Sequence, residues 1–568
     1  MAPVELPDPS MHTTYIVDPR DVFTRYSAAF AATARMREGA QAGFLVLARL
    51  AYLAFGAVPG FFATRYLFAL IAIVPAYVLV RRLYGIPAAT AAVIVLLSCP
   101  VIITAWGTDY PDCAVVSYVA GAVACLAMPC RDRWRAGWLV AADVLLTLGI
   151  WSHGMGVVLA GTTIGVYIVV RLVRARRHLL GDCVVLLAVA VATTFLLMVT
   201  SASVLGQFDF IRPTLKAAAY LSQPGQISQW HSANWRWATY VAYLLVPPSV
   251  ILAFGVTFAR TLRAIGTPQL FVGLACLGQF AVFVYLQFFN HVQALEMHFF
   301  SSTIWGVVCL ALAVLLAELA RPLSARPLAR WLPAVLVVAV PLAYEADPHV
   351  PAFGWLPIGA ALAVVPVLLA GIAWLWNRGV GTHAAHRAGL VLALAATIVG
   401  ITGSLLVLTV APRPPMPRIQ GLATAKDPHS EYNEALGGNS ANLIDWYQIS
   451  ADLPSFVGNA TYKGEQLLMW FPWTQIDTLQ EPVGIYHEGF DALWEGFPVL
   501  TPTDKGKLDH RRPAELLFLS TTGAHFGTAL QALRSYRPVL VRTTVMHQGT
   551  AVLHAWLILL RAFARHTT

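Results

Sequence analysis

Two pairs of aspartates have the surroundings of reactive carboxylates. Asp18 and Asp21 sit in Tyr15-Ile-Val-Asp-Pro-Arg-Asp-Val-Phe23, and Asp109 and Asp112 sit in Gly107-Thr-Asp-Tyr-Pro-Asp112. A carboxylate held beside a reacting centre can take the proton from an attacking hydroxyl or amine, which is general-base work. The plainer alternative is a solvated group or the cap of a helix. A reaction that expels an oxyanion also needs positive charge at the departing oxygens. Arg65, Arg212 and Lys216 are the cations available for that, with anchoring at a membrane interface or plain solvation as the alternative. Trp230 and His231, near Asn234, Trp235 and Trp237, suit either a platform for a sugar or lipid headgroup or an interfacial aromatic belt. Glu296 and His298, in Leu295-Glu-Met-His-Phe-Phe300, could serve as acid, base or metal ligand. Together with His231 they are too scattered to make a metal site, so no cofactor is expected, a divalent metal being the alternative.

Other chemistry is missing from the chain. There is no GxxxxGK[ST] phosphate loop, which argues against a P-loop ATP-driven pump. No DxD pair offers a metal handle for a nucleotide-sugar donor. The seven cysteines (99, 113, 125, 130, 183, 276 and 309) lie in or beside apolar segments without a CxxC pair, so neither a disulfide framework nor a thiolate zinc site is indicated.

The elements that must hold these residues are membrane helices. With 58% hydrophobic and 12% charged residues and a mean hydropathy of +0.64, the chain is too apolar for a string of soluble domains. Between about residues 61 and 411, apolar runs of 14 to 24 residues alternate with short polar gaps, the length a helix needs to cross about 30 Å of hydrocarbon. The runs show no two-residue alternation, which excludes a barrel. Twelve spans are expected, at roughly 61–80, 86–106, 113–129, 136–151, 155–171, 181–202, 237–258, 269–287, 300–319, 331–344, 355–376 and 388–411.

Charge orients the stack, because Lys and Arg stay on the cytoplasmic side of short loops. Every second gap is basic, with sixteen arginines in all: 81 and 82; 131, 133 and 135; 171, 174, 176 and 177; 260 and 263; 321, 326 and 330; 378 and 387. The other gaps hold only Arg212, Lys216 and Arg236. The aspartate pairs and the tail after Val410 therefore fall on the outer side. The net charge of +9 is explained by loops that face anionic headgroups, and no nucleic-acid partner is implied. The excess of Arg over Lys and the abundance of Ala suit a GC-rich bacterial genome. Asp143 lies inside an apolar run, where an ionisable group is costly; it is a functional candidate, or is protonated or bonded to a neighbouring helix. His153, at a helix turn, is open to the same readings.

Three domains are expected. Residues 1–60 form an exterior N-terminal loop with interfacial helices, Gly43 to Gly60 lying in the interface in preference to forming a thirteenth span. Residues 61–411 form the transmembrane helical domain. A proline-rich exit at Pro412, Pro414, Pro415 and Pro417 leads to an extracytoplasmic domain over 412–568, whose last part reads as a small α/β fold: a strand at 515–520, a helix near 527–536, and strands at 539–545 and 552–560.

This layout and several motifs resemble the polyprenyl-phosphate-dependent GT-C glycosyltransferases of the protein O-mannosyltransferase and aminoarabinose-transferase type. The shared features are an acidic residue in the first exterior loop, Arg65 in Phe61-Phe-Ala-Thr-Arg-Tyr66, a cytoplasmic Arg81-Arg-Leu-Tyr-Gly85, an exterior Tyr110-Pro-Asp112 and an exported C-terminal domain. The resemblance implies an inverting transfer of a sugar, hexosyl or pentosyl, from a polyprenyl-phosphate donor to an exported glycan, lipid or protein, in a multi-pass protein of the bacterial inner membrane. A first-loop aspartate would be the base, Asp18 before Asp21, and Asp112 matches the second acidic position better than Asp109. Arg65, Arg212 and Lys216 would meet the phosphate. The chain departs from the pattern in two ways: no helix precedes the first acidic loop, and an adjacent acidic pair is replaced by aspartates three apart. A lipid-linked saccharide flippase, or a non-catalytic scaffold for envelope assembly, is the alternative.

Overall fold

The computed structural model describes residues 41–99, 111–129, 132–174, 176–212, 266–289, 302–320, 468–470, 502–512, 515–520, 526–548 and 551–563, with isolated positions such as Ile16, Trp106, Thr214 and Phe456. Two compact units emerge. One takes in Arg65–Leu197 and Ala218–Ser430, the other Ala2–Thr64, Met198–Ala217 and Glu431–Thr568.

The helices follow from the apolar runs. In chain order they are α1 (Ala42–Phe55), α2 (Ala57–Tyr84), α3 (Ile86–Ser98), α4 (Pro111–Leu126), α5 (Asp132–Ile150), α6 (Gly154–Arg174), α7 (Leu179–Val204), α8 (Thr267–Phe288) and α9 (Trp305–Ala320). Most ends fall within a few residues of the expected spans. The main departure is α3, which stops at Ser98 although the apolar run continues to 106. Pro100 disfavours the helical conformation for the residue before it, and Cys99 is extended, with φ −78° and ψ 113°. The stretch expected as one interfacial element over 43–60 is divided at Gly56, leaving α1 with 14 residues, or about 21 Å of helix. The expected spans at 237–258, 331–344, 355–376 and 388–411 lie wholly or mostly outside the described residues.

Four described helices are long and apolar enough to cross a membrane: Pro59–Tyr84, Gly154–Arg174, Leu179–Val204 and Thr267–Phe288. Only 11% of the apolar window of α7 is buried within the protein, and Leu187, Val191 and Phe195 are each more than 60% exposed. A continuous apolar surface of this kind is stable against lipid and not against water. The protein is a helical membrane protein.

At the centre of the first unit is α4, whose side chains from Ala114 to Val123 are almost all fully buried. It packs against α5, α6, α8 and α9. Small residues permit the approach: a Cβ on Gly121 would stand 2.5 Å from the carbonyl oxygen of Ile71 on α2, and one on Gly306 would stand 2.7 Å from Ala120 Cβ. Interhelical hydrogen bonds add to the packing. Gln279 Nε2 donates to Thr163 Oγ1 at 3.0 Å between α8 and α6, and Trp151 Nε1 to Thr194 Oγ1 at 2.9 Å beyond the end of α5.

In the second unit Arg49 of α1 donates from Nη1 to the Ile16 carbonyl at 2.7 Å. Its C-terminal part is a four-stranded sheet of β1 (Leu468–Trp470), β2 (Glu515–Ser520), β3 (Pro538–Gln548) and β4 (Ala551–Leu560), in the order β1-β2-β4-β3. Only the β1–β2 pairing is parallel. Helix α10 (Pro502–Arg511) precedes β2, and α11 (Phe526–Ala532) joins β2 to β3, with β4 inserted between those two strands. This is a split βαβ arrangement. Leu508, Ala529, Leu533 and Tyr536 from the helical side pack on Leu516, Phe518, Trp556 and Ile558 of the sheet. The expected helix over 527–536 is divided into α11 and a 3-10 turn at Arg534–Tyr536, which Arg537 ends at φ +55° just before Pro538. Burial, then the neighbouring Asp509 carboxylate, hold the Tyr536 phenol above its ordinary pKa.

The junction between α2 and α3 is the single residue Gly85, at φ +92° and ψ −179°, a backbone region open essentially to glycine alone. Its N–H bonds the Arg81 carbonyl at 2.9 Å, closing the helix that ends in the Arg81-Arg82 pair. Nothing lies within 4 Å of where its Cβ would be, so any cost of a side chain comes from the backbone. Gly85→Ala should therefore destabilise the protein by roughly 1–3 kcal/mol, read as a lower unfolding temperature in detergent. An unchanged unfolding temperature would show that the turn is not strained.

Candidate functional site

The site begins on the buried stripe of α2, where Arg65, Phe68, Ala72, Ala76 and Leu79 recur at helical spacing. Phe68 meets Tyr118 of α4 edge-on, with ring centroids 5.7 Å apart, and Ile71 meets α4 at Gly121 one turn further on. The two pairings keep the same offset along both chains, so α2 and α4 run parallel and in step. Carried one turn toward the N-termini, that register sets Arg65 at the level of Val115. Asp112 is then one turn nearer the same end, about 4.5 Å along the axis. Arg65 and Asp112, on adjacent helices, thus belong to one end of the unit.

Arg65 is only 2% exposed. It does not snorkel to an interface: the guanidinium is enclosed by protein, where a charge must be compensated. Asp112 falls in the first turn of α4, whose N-terminal dipole favours negative charge. Trp106, ahead of α4 in the chain, donates from Nε1 to Ser117 Oγ of α4 at 2.8 Å, both residues being fully buried.

Other expected residues divide by position. Arg212 belongs to the second unit and is exposed. Asp209 organises the turn beneath it, accepting the backbone N–H groups of Ile211 and Arg212 at 3.1 Å each. His153 has a structural task, its Nδ1 accepting the Met155 N–H at 3.2 Å at the start of α6. Asp143 is 2% exposed and lies within α5, beside the Ala190 backbone of α7. Among the described residues its Oδ2 meets no donor. Asp18, Asp21, Asp109, Lys216, Trp230, His231, Glu296 and His298 lie outside the described residues. No group of three His, Cys, Asp or Glu side chains gathers as a metal set among the described residues.

A second constellation, at the opposite end of the helices, was not apparent from sequence. Asp182, in the first turn of α7, accepts Arg135 of α5 and, at 2.9 Å, the Tyr167 hydroxyl of α6, while Arg171 Nε lies 3.2 Å from the same oxygen. The arginines register in sequence only as loop charge. The available signal was an aspartate opening an otherwise apolar helix, in Leu180-Gly-Asp-Cys183.

No protein-family model and no curated protein matches the chain. Among solved structures it is similar to ArnT from Cupriavidus metallidurans bound to undecaprenyl phosphate, with 16% identity, 98% of this chain and 94% of the other covered, and a TM-score of 0.44. The apo form of that protein gives 17% identity over the same shares and a TM-score of 0.43. The apo oligosaccharyltransferase of Archaeoglobus fulgidus gives 14% identity, 94% and 68% coverage and a TM-score of 0.41. Both are glycosyltransferases of the GT-C kind named above. Overlaps of this size fall short of showing a common fold.

The Trp106–Ser117 bond can be isolated by a double-mutant cycle of Trp106→Phe and Ser117→Ala. A buried neutral hydrogen bond predicts a coupling of about 0.5–1.5 kcal/mol, measured from unfolding of the four proteins. Additive single effects would mean that the bond contributes no coupling between Trp106 and α4.

Proposed function

We propose that this protein is a membrane glycosyltransferase that moves a sugar from a polyprenyl phosphate to an acceptor on the extracytoplasmic side. What supports the reading is the enclosed Arg65 on α2, about one helical turn from the level at which Asp112 opens α4, at the end that the charge pattern assigns to the outer side. A buried cation there suits a departing phosphate, and an aspartate opening the adjacent helix suits orientation of the donor or acceptor. In the proposed reaction the acceptor oxygen or nitrogen attacks C1 of the sugar from the face opposite the phosphate. Asp18, or Asp21 in its place, takes the proton; the C1–O bond breaks, the configuration inverts, and polyprenyl phosphate leaves with the bonding electrons. Arg65, Arg212 and Lys216 receive the phosphate charge. Trp230, His231, Glu296 and His298 contact the sugar or the acceptor, and no metal enters the step. Residues 61–411 house the reaction, residues 1–60 bring the base, and residues 412–568, outside the membrane, hold the acceptor.

A lipid-linked saccharide flippase is the second reading, and Asp143 is the observation that favours it: an ionisable side chain enclosed within a membrane helix is a common element of transport pathways.

The test uses proteoliposomes with a panel of polyprenyl-phosphate sugars and envelope acceptor fractions, following release of polyprenyl phosphate and appearance of sugar on the acceptor. Asp18→Asn and Asp112→Asn should each lower turnover by about 10²–10⁴-fold, and Arg65→Met by about 10²–10³-fold, with insertion and folding intact. Asp143→Asn should leave turnover near the wild-type value. Full activity in the Asp18, Asp112 and Arg65 variants would remove these residues from the mechanism. Movement of labelled lipid across the bilayer without transfer, lost in Asp143→Asn, would establish the flippase.

A further inference from the structure

The first unit also contains a cavity of 360 Å³ where the C-terminal ends of α4 and α6 meet the N-terminal ends of α5 and α8. Its lining includes Arg135, Trp138, Tyr167, Arg171, Thr267 and Phe271. This end of the bundle carries the arginine-rich gaps and is opposite to the Arg65 end, so the cavity has no part in the proposed transfer.

Among the described residues its charge is unbalanced. Asp182 is the one described carboxylate at the two cavity arginines; one of its oxygens is bonded by Arg135 and the Tyr167 hydroxyl, with Arg171 Nε 3.2 Å away. Arg171 Nη2 is shielded from solvent and meets no acceptor among the described residues. A third guanidinium, that of Arg82, lies over the Trp138 ring at 5.7 Å. Helix α8 opens at the cavity with Thr267 and Pro268, and no side chain caps its first turn. The N–H groups of Thr267 and Gln269 in its first turn, and the positive end of its dipole, therefore add to the arginine charge. Two guanidiniums against one carboxylate, a donor without an acceptor and an open helix N-terminus make a receptor for an anion. The aromatic and aliphatic remainder of the wall suits an ester substituent.

We propose that this cavity binds a phosphate ester or phosphate anion, with Arg171 and the first turn of α8 as its principal donors and Arg82 at its edge. A basic pocket between membrane helices at the arginine-rich face is placed to take the headgroup of an acidic phospholipid from the inner leaflet. Soluble phosphate has the same recognition chemistry.

The experiment uses the full chain in nanodiscs of phosphatidylcholine, with added phosphatidylglycerol in one arm and inorganic phosphate in another, following thermal unfolding and the bound lipid by native mass spectrometry. Saturable stabilisation by phosphatidylglycerol alone identifies the lipid source, and stabilisation by phosphate identifies the soluble one. Arg171→Gln should raise the half-saturating concentration by about tenfold or more, as expected for loss of a charged hydrogen bond. Arg82→Gln, which leaves the contacts of Asp182 in place, should raise it by a smaller factor and serves if Arg171→Gln fails to fold. Arg534→Gln, in the sheet domain, should not change it. Absence of stabilisation by either anion, or wild-type affinity in both cavity variants, overturns the proposal.

Discussion

A backbone amide in hydrocarbon has no water to bond, and the rest of the structure follows from that. Each membrane segment must satisfy its own N–H and C=O groups, so the apolar runs become helices, and the helices associate through shape because the surrounding lipid is as apolar as they are. Hence α4 is lined with small residues: Gly121 admits the Ile71 carbonyl, and Gly306 of α9 approaches Ala120. Hence also the connections are short and constrained, Gly85 turning α2 into α3 in a single residue. The tight α2–α4 contact brings Arg65 and Asp112 to one end of the unit, so the chemistry proposed for the outer face depends on the same packing that makes the bundle.

Charge is distributed under the same constraint. An ion within the bilayer must reach an interface, find a counter-ion or be held for a task. Asp182 takes the second course, surrounded by Arg135, Arg171 and Tyr167. Arg65 and Asp143 are enclosed within the helical unit. The bundle consequently has two chemically different ends, one organised around Arg65 and Asp112 and one around three arginines and a cavity. On the proposed reading a phosphate group suits both, on opposite sides of the membrane.

Among the described residues the helical layer was mostly legible in the sequence, because a long apolar run in a polytopic chain has few alternatives to a helix. The early end of α3 was legible in principle at Pro100, but the apolar residues beyond it masked the break. The strands at 515–520 and 551–560 announced themselves as apolar runs with turn residues on either side. Arg65 and Asp112 were legible as residue types, while their place at one end of the unit needed the Phe68–Tyr118 and Ile71–Gly121 contacts, which no linear pattern encodes. The Asp182 cluster was invisible for the same reason: its members come from three helices, and each taken alone reads as a topological charge or a helix-opening carboxylate. Burial of Arg65 was likewise unreadable, since an arginine near a helix end is usually an interfacial one.

The orientation of these two ends governs every functional statement about them, and it is tested by single cysteines at the two sides of α7 in a cysteine-free protein. Arg212→Cys and His178→Cys are both exposed positions, one beyond the C-terminal end of the helix and one just before its N-terminal end. An impermeant thiol reagent is expected to label position 212 in intact cells and position 178 only after lysis. Labelling of position 178 in intact cells, with position 212 protected until lysis, would put the Arg65 end in the cytoplasm and contradict transfer to an exported acceptor.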